Sequence, residues 1–119
     1  MIHLKSSERK KKQTPRKITL VTHKDAPFNY REAYKSLRTN VKFIAATEGA
    51  KCFVITSALQ MESKSNIATN LAITLSEEGK HVILLDCDFR KPTIHRFLKI
   101  NMQGKGITSI LMGECSLKD

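Results

Sequence analysis

Two carboxylates and one cation follow an apolar run in the second half of the chain. Residues 82–85 are Val-Ile-Leu-Leu, and Asp86, Asp88 and Arg90 come next at alternate positions. Such a run is typical of a buried strand, and ligands of α/β sheets bind beyond the carboxyl ends of the strands. We therefore expect Asp86 to bind a metal ion and Asp88 to bind that metal or to accept a proton. Arg90 would offset charge on a transferring phosphoryl group.

Residues 57–65 have the frame of a phosphate-binding loop that ends in Lys64 and Ser65. In this interpretation Lys64 contacts the β- and γ-phosphates of ATP, and the Ser65 hydroxyl coordinates Mg²⁺. The segment has no glycine, since Ala58 and Ser63 stand at the two glycine positions. A positive φ at Ser63 would cost about 1–2 kcal/mol, which weakens binding without abolishing it. The predicted nucleotide contacts are Ala58, Leu59, Gln60, Met61, Glu62, Ser63, Lys64, Ser65 and Asn66.

Two strands and one helix would position these segments. We expect strands at residues 52–56 and 81–86, joined by the loop and by a helix that begins at Ser65 and ends before Gly79. A connection of that length requires parallel strands with a right-handed crossover. The predicted fold class is therefore α/β, with a parallel sheet and flanking helices. The residues predicted to face inward from the helix are Ile67, Ala68, Leu71, Ala72 and Leu75.

A long amphipathic helix is predicted upstream, at roughly residues 29–46. Its side chains Glu32, Lys35 and Arg38 recur at helical spacing and share one face. A separate apolar stripe consists of Tyr34, Leu37, Val41 and Ile44. The remaining elements expected are a short strand at residues 18–22 and short helices at residues 93–98 and 107–112.

The charge of the chain is concentrated at its amino terminus. The 119 residues suffice for one small domain and carry a net charge of +10. Residues 1–17 contain seven basic residues and one acidic residue, a net of +6, with little apolar content. We expect this basic arm to be disordered. It would be attracted to an anionic surface, either the inner membrane leaflet or nucleic acid, or would be a solvated tail with no dedicated partner.

The cysteine pattern predicts a cytoplasmic protein. The three cysteines are widely spaced and form no C-x-x-C pair, which argues against a disulfide framework and against a zinc site. The four histidines form no i, i+4 pair. No apolar run approaches the roughly 20 residues of a membrane span, and the amino terminus lacks the apolar part of a signal peptide. We expect a cytoplasmic location, peripheral to the inner face of the cell membrane through the basic arm.

Together these motifs resemble the cytoplasmic catalytic domain of bacterial tyrosine kinases (BY-kinases), autokinases that regulate capsule and exopolysaccharide synthesis. Residues 83–92, Ile-Leu-Leu-Asp-Cys-Asp-Phe-Arg-Lys-Pro, are similar to the second Walker motif (A′) of the family. Residues 32–40 resemble its E-x-x-R-x-x-R helix, with Lys35 at the first arginine position. Residues 93–95 and 106–113 are also family-like, so the resemblance runs from about Ile18 to the last residues.

The resemblance implies ATP- and Mg²⁺-dependent phosphoryl transfer to protein tyrosine. It also implies a homo-oligomer, or a paralogous kinase, that contacts Glu32, Lys35 and Arg38, and a membrane-bound activator protein. The D-x-x-P strand of the third Walker motif and the tyrosine cluster that receives phosphate are not found in the sequence. Residues 18–119 are therefore expected to be the amino-terminal part of a P-loop kinase domain, with an incomplete P-loop NTPase-like parallel sheet and impaired activity.

Three other interpretations remain open. A partitioning-type P-loop ATPase shares the two motifs but carries an additional lysine where Leu59 stands. A catalytically inactive interaction module would keep the oligomerising helix and modulate an intact paralogue, which the glycine-free loop favours. Nucleic-acid binding through the arm is disfavoured, because the arm has no interleaved aromatic residues and no recognition motif.

Overall fold

The structure, a computed structural model, describes residues 18–59 and 63–118. This part of the chain contains four helices: α1, Phe28–Glu48; α2, Lys64–Ser76; α3, Ile94–Phe97; and α4, Ile107–Leu111. None of these helices is both long enough and apolar enough to cross a bilayer. The predicted basic arm, residues 1–17, lies outside the described residues.

The predicted parallel sheet is wrong for the described residues, which contain no strand. Residues 18–20, 51–57 and 80–88 have no regular secondary structure. Val54 and Ile83, expected in the interior of two strands, are 83% and 66% exposed. A parallel strand is stable when neighbouring strands pair with it and when both of its faces are covered. The described part of the chain supplies neither, so the apolar runs remain without a backbone partner.

The helix predictions are confirmed with small shifts at the ends. The predicted helix at residues 29–46 lies within α1, and Gly49 ends it with a φ of 65°, a left-handed conformation that glycine adopts without strain. The two short helices predicted at residues 93–98 and 107–112 correspond to α3 and α4. Of the predicted apolar stripe, Tyr34 is buried and Ile44 is 46% exposed.

Helix α2 packs against α1 and α3, and the face that it buries against them is largely polar. Thr69 and Asn70 are completely buried and Thr74 nearly so. Of the five residues predicted to face inward, Leu71 alone is buried, and the other four are half-buried. The small apolar core consists of Leu20, Val21, Ala26, Tyr34 and Leu71.

The Asn70 side chain joins three parts of the molecule. Its Oδ1 accepts the Val21 N–H at 2.8 Å, and its Nδ2 donates to the Thr19 carbonyl at 3.0 Å. The same Nδ2 lies 3.0 Å from the Tyr30 hydroxyl and 2.9 Å from Asn66 Oδ1. An amide group has two protons, so these three acceptors share them. A buried amide satisfied in this way holds residues 19–21 against both long helices.

A charged cluster joins the middle of α1 to the end of α2 and the residues that follow it. Arg38 Nη1 donates to the Thr74 carbonyl at 2.9 Å, and Arg38 Nη2 lies 2.9 Å from Glu78 Oε1. Lys42 also pairs with Glu78. The hydrogen bond from Lys42, and then the charge of Arg38, lower the pKa of the Glu78 carboxyl. The Arg38 side chain, 14% exposed, is therefore held within the protomer.

Replacing Asn70 should destabilise the fold. In Asn70→Leu the buried Val21 N–H loses its side-chain partner, and the Thr19 carbonyl loses one of its two donors and keeps the Tyr30 hydroxyl. We expect the free energy of unfolding to fall by about 1–3 kcal/mol in urea denaturation followed by circular dichroism. The matched control is Asn40→Leu on the exposed surface of α1, expected to change stability by less than about 0.5 kcal/mol. Equal losses in the two variants would contradict the role assigned to Asn70.

Removing the Glu78 charge should give a pH-dependent loss of stability. Because the folded-state pKa of Glu78 is below its ordinary value of 4.5, the carboxylate stabilises the fold above that pH. At pH 7 we expect Glu78→Gln to melt at a lower temperature than the unmodified chain. The difference should shrink as the pH falls below 4.5 and vanish once Glu78 is protonated. Glu77→Gln, which alters an exposed neighbour, is the control, and a pH-independent difference would refute the assignment.

Candidate functional site

The two motifs singled out by the sequence meet in the structure. Lys64 Nζ, on the first residue of α2, lies 3.5 Å from Asp88 Oδ2. Both side chains are about one-third exposed, so the ion pair itself adds little stability. Its significance is positional, because it brings a cation at a helix amino terminus next to a carboxylate 24 residues away in sequence.

Ser63, at the second glycine position of the predicted loop, adopts a strained backbone conformation. Its φ is 64° and its ψ is 18°, which is the left-handed region. Ser63 precedes α2, yet its side chain makes no capping hydrogen bond to the helix. The first intrahelical bond runs from the Ile67 N–H to the Ser63 carbonyl at 3.0 Å. The N–H groups of the preceding turn, residues 64–66, therefore have no acceptor within the helix.

The first turn of α2 suits an anion. It contains no acidic residue, and its sequence is Lys-Ser-Asn. A helix amino terminus carries a partial positive charge, and unpaired N–H groups there bind phosphate or carboxylate. Lys64 adds a full positive charge at the same place. The arrangement can hold an anionic group between the helix terminus and the lysine.

Asp86 performs a structural task that the sequence analysis did not foresee. Its Oδ2 accepts the N–H groups of Thr93 and Ile94, at 3.0 and 3.2 Å, where α3 begins. Its Oδ1 accepts the Asp88 N–H at 3.1 Å. Asp86 therefore caps α3 and fixes the turn that carries Asp88. Oδ1 accepts one bond and so has a further lone pair for a metal contact, whereas both lone pairs of Oδ2 are occupied.

The electrostatics of Asp88 favour its ionised form. The backbone N–H of Lys91 donates to Asp88 Oδ1 at 3.1 Å, and this bond, followed by the charge of Lys64, lowers the pKa of the Asp88 carboxyl. Asp88 is therefore a carboxylate at neutral pH. It is ready to accept a hydrogen bond or bind a cation, and it is a weak proton acceptor because its pKa is low.

The remaining predicted contacts are distributed unevenly. Ser65 and Asn66 follow Lys64 on the first turn of α2. Ala58 and Leu59, in the first half of the loop, are exposed, and Gln60, Met61 and Glu62 lie outside the described residues. Arg90 is exposed, and its guanidinium forms no ion pair with any described residue. The structure thus brings Lys64 and Asp88 together and does not bring Arg90 to them.

The predicted metal ligands carry the oxygen atoms that Mg²⁺ prefers. The predicted ligands Ser65, Asp86 and Asp88 offer a hydroxyl and two carboxylates, and Mg²⁺ usually binds one or two carboxylates together with substrate phosphates and water. Within the described residues no three His, Cys, Asp or Glu side chains form a cluster that could hold a metal alone. The donor set fits a metal that arrives with a phosphate group.

Of the predicted oligomer-contact residues, two face solvent. Lys35 Nζ and Glu32 Oε1 form an exposed ion pair at 2.8 Å on α1. Arg38, by contrast, is occupied by Thr74 and Glu78 of its own chain. The structure therefore separates the three residues that helical spacing had grouped together.

Sequence reasoning missed Asn70, Tyr30 and Glu78. Asn66 and Asn70 are four residues apart on α2, a spacing at which side chains hydrogen-bond, so a local signal for this pair existed. No local signal linked Tyr30 to Asn70 or Arg38 to Glu78, because each pair is 40 residues apart in sequence.

Comparison with known proteins identifies the family. The chain is 40% identical over 89 residues, 73% of its length, to the tyrosine-protein kinase YwqD of Bacillus subtilis (strain 168). It is 33% identical over 88 residues to the tyrosine-protein kinase CpsD of Streptococcus agalactiae, and 34% identical over 83 residues to the tyrosine-protein kinase wzc of Salmonella typhi. These matches cover 74% and 70% of the chain. The chain belongs to the family of bacterial tyrosine-protein kinases.

The chain spans a minor part of these relatives, namely 36% of YwqD, 38% of CpsD and 11% of wzc. No family model matches the chain. No solved structure matches it either.

Relieving the strain at Ser63 should stabilise the protein. Ser63→Gly places glycine at a φ of 64°, and we expect the free energy of unfolding to rise by about 1 kcal/mol in urea denaturation. Lys99→Gly is the comparator, because Lys99 also has a positive φ, 54°, and lies away from the loop. It should stabilise to a similar extent. A loss of stability in Ser63→Gly would show that the serine side chain contributes more than the strain costs.

Proposed function

We propose that this chain provides the ATP-binding part of a bacterial protein-tyrosine autokinase that controls capsule or exopolysaccharide synthesis. The observation that carries the proposal is the 3.5 Å approach of Lys64 to Asp88, at the amino terminus of a helix with no acidic residue in its first turn. Family membership supports the same chemistry, since the relatives are named tyrosine-protein kinases.

In this proposal Lys64 and the N–H groups of residues 64–66 bind the β- and γ-phosphates of ATP. Their positive charge compensates the negative charge of the phosphates. Ser65, Asp86 and Asp88 would hold Mg²⁺, which neutralises charge on the phosphate oxygens when bound. Asp88 would orient the tyrosine hydroxyl and accept its proton, and its low pKa suffices because phosphoryl transfer requires little help from a base.

The Lys64–Asp88 ion pair must exchange partners when ATP binds. Lys64 would move from the carboxylate to the phosphates, which releases Asp88 for the hydroxyl or the metal. Because both side chains of the ion pair are partly exposed to water, breaking the pair costs little free energy. Arg90, which is exposed, would have to turn toward the site to stabilise the transferring group.

The exposed side chains of α1 suggest where a partner would bind. We propose that a second copy, or a paralogous kinase, contacts the exposed pair Glu32 and Lys35, and that Arg38 supports α1 from within the protomer. A cytoplasmic location at the inner face of the membrane, with a membrane-bound activator, is proposed together with this assembly. The net charge of +6 in residues 1–17 supports attraction to anionic lipid.

One observation favours a second function. Ser63 occupies a left-handed conformation without the glycine that would relieve it, which raises the free energy of the loop that ATP must engage. A chain with such a loop would bind ATP weakly and could act as a non-catalytic module that modulates an intact kinase.

Titration calorimetry with ATP and Mg²⁺ tests the ATP site. We expect binding by the unmodified chain and a loss of at least about tenfold in affinity for Lys64→Ala, because a charged contact with phosphate is removed. Lys51→Ala, the control, removes an exposed lysine that precedes the loop, and this variant should bind ATP normally. Ser63→Gly should bind more tightly, whereas Lys99→Gly should not. Equal affinities for Lys64→Ala and Lys51→Ala would overturn the proposed phosphate contact.

Tyrosine phosphorylation assays separate the two functions. The unmodified chain should transfer phosphate from ATP to a Glu–Tyr copolymer, and Lys64→Met and Asp88→Asn should each lower the rate by at least about 100-fold. Binding of ATP without transfer would favour the non-catalytic module. Transfer that survives both substitutions would exclude the mechanism described above.

A further inference from the structure

The sequence contains two tyrosines, Tyr30 and Tyr34, which differ in burial. They lie one turn apart on α1, with ring centroids 5.1 Å apart at an interplanar angle of 69°. Tyr34 is buried, with 8% of its surface exposed, and burial raises the pKa of its hydroxyl to about 12. Tyr30, on the first turn of the helix, is half-buried.

The Tyr30 hydroxyl is the meeting point of three segments. It donates to the Thr19 carbonyl at 2.9 Å and accepts from Asn70 Nδ2 at 3.0 Å. Asn66 Nδ2 lies 3.4 Å from the same oxygen. Asn66 directly follows Ser65 in the first turn of α2, so the Tyr30 hydroxyl contacts the turn that begins with Lys64.

Position and accessibility therefore distinguish the two hydroxyls as acceptors of a phosphoryl group. The Tyr34 hydroxyl would have to leave the core to reach any donor. The Tyr30 hydroxyl has to give up the bond that it donates to Thr19 and one of the bonds that it accepts from Asn66 and Asn70, without leaving its place on the first turn of α1. Modification of Tyr30 would also alter its surroundings, because the hydroxyl proton that is lost is the one donated to the Thr19 carbonyl.

We propose that Tyr30 is a phosphorylation site and that its modification releases residues 19–21 from the two long helices. This inference rests on the proposed kinase function. In the step, the Tyr30 hydroxyl oxygen bonds to the γ-phosphorus and the bond between that phosphorus and the bridging oxygen breaks. ADP leaves, and the hydroxyl proton passes to a carboxylate or to water.

The release follows from the change in hydrogen-bonding character. An unmodified tyrosine donates to the Thr19 carbonyl, whereas its phosphate ester has acceptor oxygens and a charge of about −1.5 to −2 at pH 7. Two acceptors then face each other, and the Thr19 carbonyl is repelled. Asn70 Nδ2 remains a donor and would turn toward the phosphate, which weakens its own bond to Thr19.

Mass spectrometry after incubation with ATP and Mg²⁺ tests the site, with the Glu–Tyr copolymer as a second substrate in the same reaction. We expect phosphate at Tyr30 in the unmodified chain and in Tyr34→Phe, and none on the chain in Tyr30→Phe. Tyr30→Phe should still label the copolymer. If the copolymer is labelled and Tyr30 is not, the inference is overturned and the kinase function stands. If neither is labelled, both are overturned.

Hydrogen exchange tests the release independently of any kinase activity. Phosphotyrosine is incorporated at position 30 during synthesis of the full chain, and exchange of the Val21 amide is followed. This amide donates to Asn70 Oδ1, so its protection reports the contact of residues 19–21 with α2. We expect exchange at least about tenfold faster than in the unmodified chain, and a smaller change in Tyr30→Phe. Unchanged protection in the phosphorylated chain would refute the release.

Discussion

The buried amide of Asn70 is the constraint on which the arrangement of the described residues depends. It satisfies the Val21 N–H and the Thr19 carbonyl as a neighbouring strand would, but from a helix. Because the same side chain contacts Tyr30 of α1, it also sets the approach of the two long helices. A fully buried amide is costly unless each of its groups is paired, so the three segments are tied to one geometry.

Two sets of polar contacts hold α1 and α2 together, and the apolar core between them is small. Asn70, in the middle of α2, contacts Tyr30 near the start of α1, and Arg38, in the middle of α1, pairs with Glu78 just after α2 ends. This arrangement makes α2 a rigid support for Lys64, the residue that meets Asp88. The position of Lys64 thus depends on side chains that take no part in the phosphate chemistry proposed for it.

Sequence patterns were informative where the interaction is local and misleading where it is not. Helical spacing predicted α1 within two residues at either end, and the frame of a phosphate-binding loop put Ser63, which is left-handed in the structure, at a glycine position. The parallel sheet was wrong for the described residues, because apolar runs reveal strand propensity but not whether a partner strand is present. Arg38 was grouped with Glu32 and Lys35 by spacing, whereas its guanidinium binds a carbonyl 36 residues away.

The capping role of Asp86 has a consequence for how this family member should be studied. Substituting a metal-binding aspartate is a common way to make a catalytically dead reference protein. Here both oxygens of Asp86 accept backbone N–H groups that shape the turn around Asp88. Loss of activity in an Asp86 variant would therefore have two explanations, a misfolded turn and a missing metal ligand. Lys64 is the site at which a negative control keeps its meaning, because Asp88 also accepts a backbone N–H of this turn, that of Lys91.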